Sequence, residues 1–225
     1  MADDLAFDDA TIEKLRLAAE EVAWLTGRGY RLEVVGDLVA RHHALSEGQR
    51  SALAEGTCSE PQYRRRAARE LEPEDVARRP LAVDAIDVLA AIDSALSGRA
   101  VLQTLDGTAH ALGVERASWA PGPHADEAID RVLALGKELR PQVLRFLIDE
   151  RAAHGPALGE RIGARAKAAK AKVEVVLVPD VRAAMKKEKQ VASGDAEVLD
   201  ACGAWFNLAG RIVEGVPGAK VVRLQ

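Results

Sequence analysis

In the last two-thirds of the chain, short apolar runs lead again and again into an aspartate, with helical segments between them. Residues 81–83 lead into Asp84, residues 101–105 into Asp106-Gly107, residues 143–148 into Asp149, and residues 173–178 into Pro179-Asp180. A weaker run at 189–192 leads into Ser193-Gly194-Asp195, and residues 220–224 supply a last candidate strand. Helical spacing of apolar residues fills the gaps at 86–96, 125–139, 157–171 and 196–213. Strands that alternate with helices predict an α/β fold, its mainly parallel sheet covered by helices on both faces.

The start of the chain has a different pattern. Asp9 is placed to cap a helix over residues 11–25, where Ile12, Leu15, Ala18, Val22 and Leu25 form an apolar stripe. Gly27-Arg28-Gly29 stops it, and a second helix is expected over 32–43. Ser46 caps a third over 47–54, closed by Gly56, and a fourth is expected over 60–70. Short helices on short loops predict a small all-helical domain over residues 1–75. Pro73 and Pro80 mark a linker to an α/β domain over residues 80–225.

With 225 residues, 48% of them hydrophobic and 29% charged, the chain can bury a sizeable core. Its net charge of −4 gives no global attraction for nucleic acid, so RNA would need a local patch. Arg64, Arg65, Arg66 and Arg69 are the strongest candidates for holding phosphates, with Arg78 and Arg79 nearby. Glu60, Glu70, Glu72 and Glu74 surround them, so a solvated helix of paired charges is the competing reading. Arg161, Arg165, Lys167, Lys170 and Lys172 pose the same choice. Cys58 and Cys202 lie far apart without metal-ligand spacing and are read as free thiols in a reducing compartment. The start, Met1-Ala2-Asp3-Asp4, is acidic, and no stretch reaches the roughly 20 apolar residues of a membrane span. These features predict a cytoplasmic protein with no membrane partner.

Open parallel sheets bind ligands at the carboxyl ends of their strands. If the strand order gathers Asp84, Asp106, Asp149, Asp180 and Asp195, their oxygens form a cup suited to magnesium or manganese. Such ions support displacement at a phosphodiester. An aspartate after a strand is also a common helix N-cap and turn former, and Asp195 fits both descriptions. His110 and His154 follow strand ends and are candidates for general acid–base work, or for solvent-facing positions. Arg41-His42-His43 looks like half a zinc site, but adjacent helical residues point apart and Glu47 is the only acid at helical spacing. Trp205 and Phe206, with Leu199, Leu208, Ile212 and Val213, fall on the predicted C-terminal helix; they are core, or, if exposed, a homodimer surface. Walker, dinucleotide-binding and nucleophile-elbow motifs are absent, which argues against those enzyme classes.

Arg28-Gly29-Tyr30, Leu38-Val39 and the run from Leu45-Ser46-Glu47-Gly48-Gln49 to Arg50-Ser51-Ala52-Leu53 resemble the N-terminal part of a prokaryotic family, the domain of unknown function numbered 434. Val83-Asp84-Ala85-Ile86-Asp87-Val88-Leu89, Ser94-Ala95-Leu96-Ser97-Gly98, Asp106-Gly107, Pro179-Asp180 and Ser193-Gly194-Asp195 follow in the order of that family's later motifs. The strand, aspartate and turn pattern is similar to PIN and NYN ribonuclease domains. That resemblance implies a metal-dependent ribonuclease in which Asp84, Asp106 and Asp195 are the core acids, with Asp180 and Asp149 supporting. Asp87 stands where the resemblance implies an asparagine, Ala85 where it implies glycine, Ile86 where it implies an aromatic, and Ala109-His110 where it implies an Arg-Asp pair. Retained acids in an altered frame fit an active enzyme or a catalytically inactive binding or scaffold protein of the same fold.

Overall fold

Asp8 rather than Asp9 caps the first helix, its carboxylate accepting from the Thr11 amide at 2.8 Å. The computed structural model describes residues 8–224, so the acidic residues 1–4 lie outside the described residues. Four helices come first: α1 (Asp9–Gly27), α2 (Leu32–His42), α3 (Glu47–Gly56) and α4 (Glu60–Ala67). Ser46 and Ser59 each close a capping box, with Gln49 and Gln62, which fixes where α3 and α4 begin. A single 3-10 turn, Pro73–Val76, leads into the rest of the chain. There strands and helices alternate: β1 (Leu81–Asp84), α5 (Ala85–Leu96), β2 (Val101–Gln103), β3 (Ala109–Ala111), α6 (Ala125–Leu139), β4 (Leu144–Asp149) and α7 (Gly155–Ala168). Then follow β5 (Val173–Val178), α8 (Val181–Met185), β6 (Gln190–Ala192), α9 (Ala196–Ala201), β7 (Ala204–Trp205), α10 (Leu208–Glu214) and β8 (Val221–Arg223).

Five strands form a parallel sheet in the order β5-β4-β1-β6-β7. Side chains alternate across it with the period of two that a strand imposes. Leu81, Val83, Phe146, Ile148 and Ala192 enter one core with residues of α5, α6, α7 and α10. Ala82, Leu147 and Val191 enter the other, with Val181, Met185, Val198, Leu199 and Trp205. All four residues of the central β1 are buried, as a strand covered on both faces requires.

Two runs expected in this sheet lie elsewhere. β2 pairs antiparallel with β3 and parallel with β8 in a separate three-stranded sheet. That sheet supports the N-terminal helices: Leu102, Val222 and Leu224 share a core with Leu15, Val22, Val39 and Leu53. Arg16 of α1 also donates to the Arg223 carbonyl at 2.9 Å.

The continuous helix expected over 196–213 is broken as well. α9 ends at Ala201, Gly203 packs against the Lys189 carbonyl, and β7 pairs with β6 before Asn207 caps α10. Trp205 and Phe206 are therefore a strand end and its sequel, 0% and 1% exposed, so of the two readings the core one holds for them. Cys58 and Cys202 are buried free thiols. Among the described residues no helix is long and apolar enough to cross a membrane.

Trp205 fills the core between the sheet and α9, and its indole nitrogen donates to the Arg66 carbonyl at 2.8 Å. Replacing it with alanine should cost about 3–5 kcal/mol of unfolding free energy in a urea titration.

Candidate functional site

The strand order reverses at β1, with β4 and β5 on one side and β6 and β7 on the other. The crevice beyond the carboxyl ends of the strands at such a reversal is where open parallel sheets bind ligands. Asp84 ends β1, and Ser193-Gly194-Asp195 follows β6 beside it, so topology alone brings Asp84 and Asp195 there. Each caps the helix it opens: Asp84 accepts from the Asp87 amide at 3.4 Å, and Asp195 from those of Glu197 and Val198 at 3.0 and 3.2 Å. Asp180 caps α8 in the same way, at 3.0 Å from the Ala183 amide. The capping reading is correct for these three local conformations.

Capping uses one carboxylate oxygen of Asp84 and one of Asp195, and the other oxygen of each turns to a shared cation. Arg116 Nη1 lies 2.6 Å from Asp84 Oδ2, while its Nη2 lies 3.5 Å from Asp195 Oδ2 and 3.7 Å from Asp87 Oδ1. Arg182 Nε reaches Asp195 Oδ2 at 2.6 Å. The Ser193 hydroxyl is 3.3 Å from both Asp84 Oδ2 and Asp87 Oδ2, and the Gly194 amide donates to Asp87 Oδ2 at 2.6 Å. Three carboxylates thus face two guanidiniums. Burial pushes the Asp84 carboxyl up to about 6, and Arg116 offsets only part of that. Burial also opposes ionisation of Asp195, but Arg116 and Arg182 together outweigh it and hold that carboxyl below its usual value.

The group opens on a cavity of about 520 Å³ bordered by Asp87, His110, Arg116, Arg182 and Asp195. Glu55 lines it too, its carboxyl raised by burial. His110 Nε2 sits 3.1 Å from Thr108 Oγ1, and its Nδ1 is 3.9 Å from Asp87 Oδ1. A Cβ on Gly194 would fall 2.6 Å from His110 Nε2, so glycine is what lets the imidazole stand there. A second cavity of about 570 Å³ is bordered by Asp84, Asp149 and Asp180, and Arg116 and Arg182 line both.

Of the acids expected in the cup, Asp84 and Asp195 meet, while Asp149 and Asp180 flank them across the second cavity. Asp149 is engaged by Arg151, whose amide and Nε lie 2.8 and 3.2 Å from Oδ1 and hold the carboxyl low. Asp106 is elsewhere. It follows β2, which belongs to the other sheet, and is tied to Arg66 at 2.6 Å, Thr104 at 2.5 Å and the Thr108 hydroxyl at 2.8 Å. Burial raises its carboxyl, but Thr104 and Arg66 prevail and lower it.

The arginine cluster divides for a related reason. Arg66 is 3% exposed between Asp106 and Asp200, and Arg69 donates to the Asp200 and Cys202 carbonyls at 3.2 Å each, so neither is free to hold phosphate. Arg64, paired with Glu60, and Arg65 stay on the surface. Arg161 is likewise paired, with Asp126 of α6. His154 is exposed before α7 and borders neither cavity.

Glu55, Asp87, Arg116 and Arg182 of the site were not among the expected acids and bases. Asp87 is legible as a second carboxylate one turn after Asp84. Arg116 lies between β3 and α6 in a segment with no helical or strand pattern, so nothing in the sequence points it at the sheet. The donors, Asp84, Asp87, Asp195 and Ser193, are all oxygen, the type a hard divalent cation takes, but as they stand the three carboxylates do not bring ligand atoms within 4.8 Å of one another. Arg116 stands among them as the cation they share.

A family model described as "Domain of unknown function (DUF5616)" matches residues 73–211, well over half of the chain. The chain belongs to the DUF5616 family. A second model, "Protein of unknown function (DUF434)", matches residues 14–69, confirming the N-terminal resemblance, but the later motifs fall within the DUF5616 match instead. Every residue of the site described above lies in the DUF5616 part apart from Glu55. The chain is 22% identical to the uncharacterised protein MJ0935 of Methanocaldococcus jannaschii over 189 residues, 84% of this chain and 89% of that one. No solved structure matches it.

Two outcomes test this geometry. Arg66→Ala should cost about 3–5 kcal/mol by leaving two buried or half-buried carboxylates without their cation, whereas Arg65→Ala should leave urea stability within about 0.5 kcal/mol. The Asp84 carboxyl is raised on folding, so the folded state holds its proton more tightly and this group's contribution falls as pH rises from 3.8 to about 6. Stability measured across that window should therefore decline for the wild type relative to Asp84→Asn.

Proposed function

We propose that this chain hydrolyses phosphodiester bonds in RNA, using magnesium or manganese held by Asp84, Asp87 and Asp195. One observation carries the reading: three carboxylates and a serine hydroxyl, delivered by β1, α5 and the loop after β6, gather on a single cation at the reversal of the strand order. When bound, a divalent ion there supplies activated water and neutralises charge on the phosphate. The chain's own groups supply the rest. Arg116 and Arg182 line both cavities, and a guanidinium fork engages phosphate oxygens in pairs. His110 faces the first cavity beside Asp87, where an imidazolium would pass a proton to the leaving oxygen. Two adjoining cavities along one sheet edge suit a chain-like substrate better than a compact one. The choice of RNA rests on the resemblance of the strand, aspartate and turn pattern in the sequence to PIN and NYN ribonuclease domains.

A second reading has its own observation. Arg116 already partners Asp84 at 2.6 Å, and a guanidinium seated there permanently would make this a binding or scaffold protein of the same fold. Calorimetric titration with manganese separates the two. The nuclease reading expects saturable binding that is lost in Asp84→Asn and Asp87→Asn and kept or tightened in Arg116→Ala, together with metal-dependent cleavage of single-stranded RNA. Absence of manganese binding in the wild type and in Arg116→Ala alike would leave the scaffold reading standing.

A further inference from the structure

The half-site at His42-His43 gains a third donor that the sequence does not reveal. Adjacent residues inside a helix point about 100° apart, but His43 is the C-cap of α2, where the chain leaves helical geometry (φ −84°, ψ 2°). The two imidazoles meet edge to face with centroids 5.0 Å apart. Glu21, on the adjoining α1, reaches His43 Nε2 with its Oε2 at 3.0 Å. One ligand atom from each of Glu21, His42 and His43 lies within 4.8 Å of the others, and among the described residues no other trio of His, Cys, Asp and Glu meets that test. Arg41, the nearest cation in sequence, is turned back along α2 to the Asp37 carbonyl at 3.2 Å and does not compete.

We propose that Glu21, His42 and His43 form a site for a zinc-class transition ion, separate from the acidic group at the sheet edge. Two imidazole nitrogens and one carboxylate oxygen are an established zinc ligand set, with a fourth position left to water. Across a tetrahedral zinc, such donors stand roughly 3.3–3.5 Å apart, given Zn–N and Zn–O bonds of about 2.0–2.2 Å. The 3.0 Å contact needs to open by a few tenths of an ångström, and the widest pair to close by no more than about 1.5 Å, movements that the exposed side chains of Glu21 and His42 can supply around the largely covered His43. Nitrogen ligands select zinc, nickel or copper over the magnesium and manganese that suit the all-oxygen group. Occupancy ties the end of α2 to the middle of α1.

The test is a zinc titration of the full-length protein by calorimetry, repeated with cobalt(II) to read the coordination geometry from its visible spectrum. One equivalent should bind, with the absorption of a tetrahedral cobalt site. Affinity should fall at least about tenfold in His42→Asn and in Glu21→Gln, the lower end of what losing even an outer-shell partner costs. Both residues are exposed, so these variants should fold, which circular dichroism checks. Asp84→Asn should leave zinc binding unchanged. No zinc uptake by the wild type, uptake indifferent to both His42→Asn and Glu21→Gln, or uptake abolished by Asp84→Asn would overturn the proposal.

Discussion

A carboxylate at the end of a fully buried strand must find a cation or lose its charge, and the geometry around Asp84 follows from that constraint. Removing such a group from water costs several kcal/mol, which one guanidinium at 2.6 Å repays only in part. Asp195, only slightly more accessible, differs because Arg182 joins Arg116 on it, and there the cations win. The demand for positive charge draws the otherwise irregular Arg116 segment over the sheet edge. It also leaves the Ser193 hydroxyl and the Gly194 amide to satisfy Asp87. Strand β1, the start of α5 and the loop after β6 are thereby tied into one unit.

The alternation of apolar runs and helices was enough to read the parallel sheet, because a strand buried on both faces must be apolar throughout and its crossover must be long. The meeting of Asp84 and Asp195 was legible for the same reason, since Asp84 ends one strand of that sheet and Asp195 follows another. What a run of three apolar residues does not carry is the name of its sheet. Residues 101–103 and 221–223 look like the others but pair with β3 and with one another, so Asp106 shares the local pattern of Asp84 and none of its surroundings. The break between α9 and α10 was hidden likewise. Apolar spacing runs on through Trp205 and Phe206, and only Gly203 and the capping Asn207 mark the interruption.

Charge runs mislead in a way that helix geometry explains. Arg64, Arg65 and Arg66 are close in sequence, yet a helix turns about 100° per residue and sorts them onto different faces, while Arg69 lies in the turn just past the end of α4. Arg66 and Arg69, three apart, face α9 and the Asp200 region, while Arg64 and Arg65 face water. Half of the apparent phosphate patch is therefore an internal clamp between the N-terminal helices and the sheet. The converse holds for His42 and His43: adjacency keeps them apart only while both are helical, and the end of α2 falls between them.

The acidic group at the reversal point is more than local structure needs. Asp84 and Asp195 cap α5 and α9, but serine or asparagine would cap as well without a buried charge. Asp87 receives the Gly194 amide, which a neutral acceptor would also serve. The charge itself is what lacks a structural use, and for Asp84 it carries a penalty, since its raised carboxyl works against the folded state near neutral pH. Two guanidiniums face three carboxylates, and Arg182 is shared with Glu197 as well, so the negative charge is in excess. A scaffold stabilised by such a group would gain from replacing it with apolar residues of similar volume, as buried ion pairs commonly do. A site that binds and releases a cation needs the imbalance, and Arg116, one-third exposed at the rim of both cavities, is the member of the group with room to move.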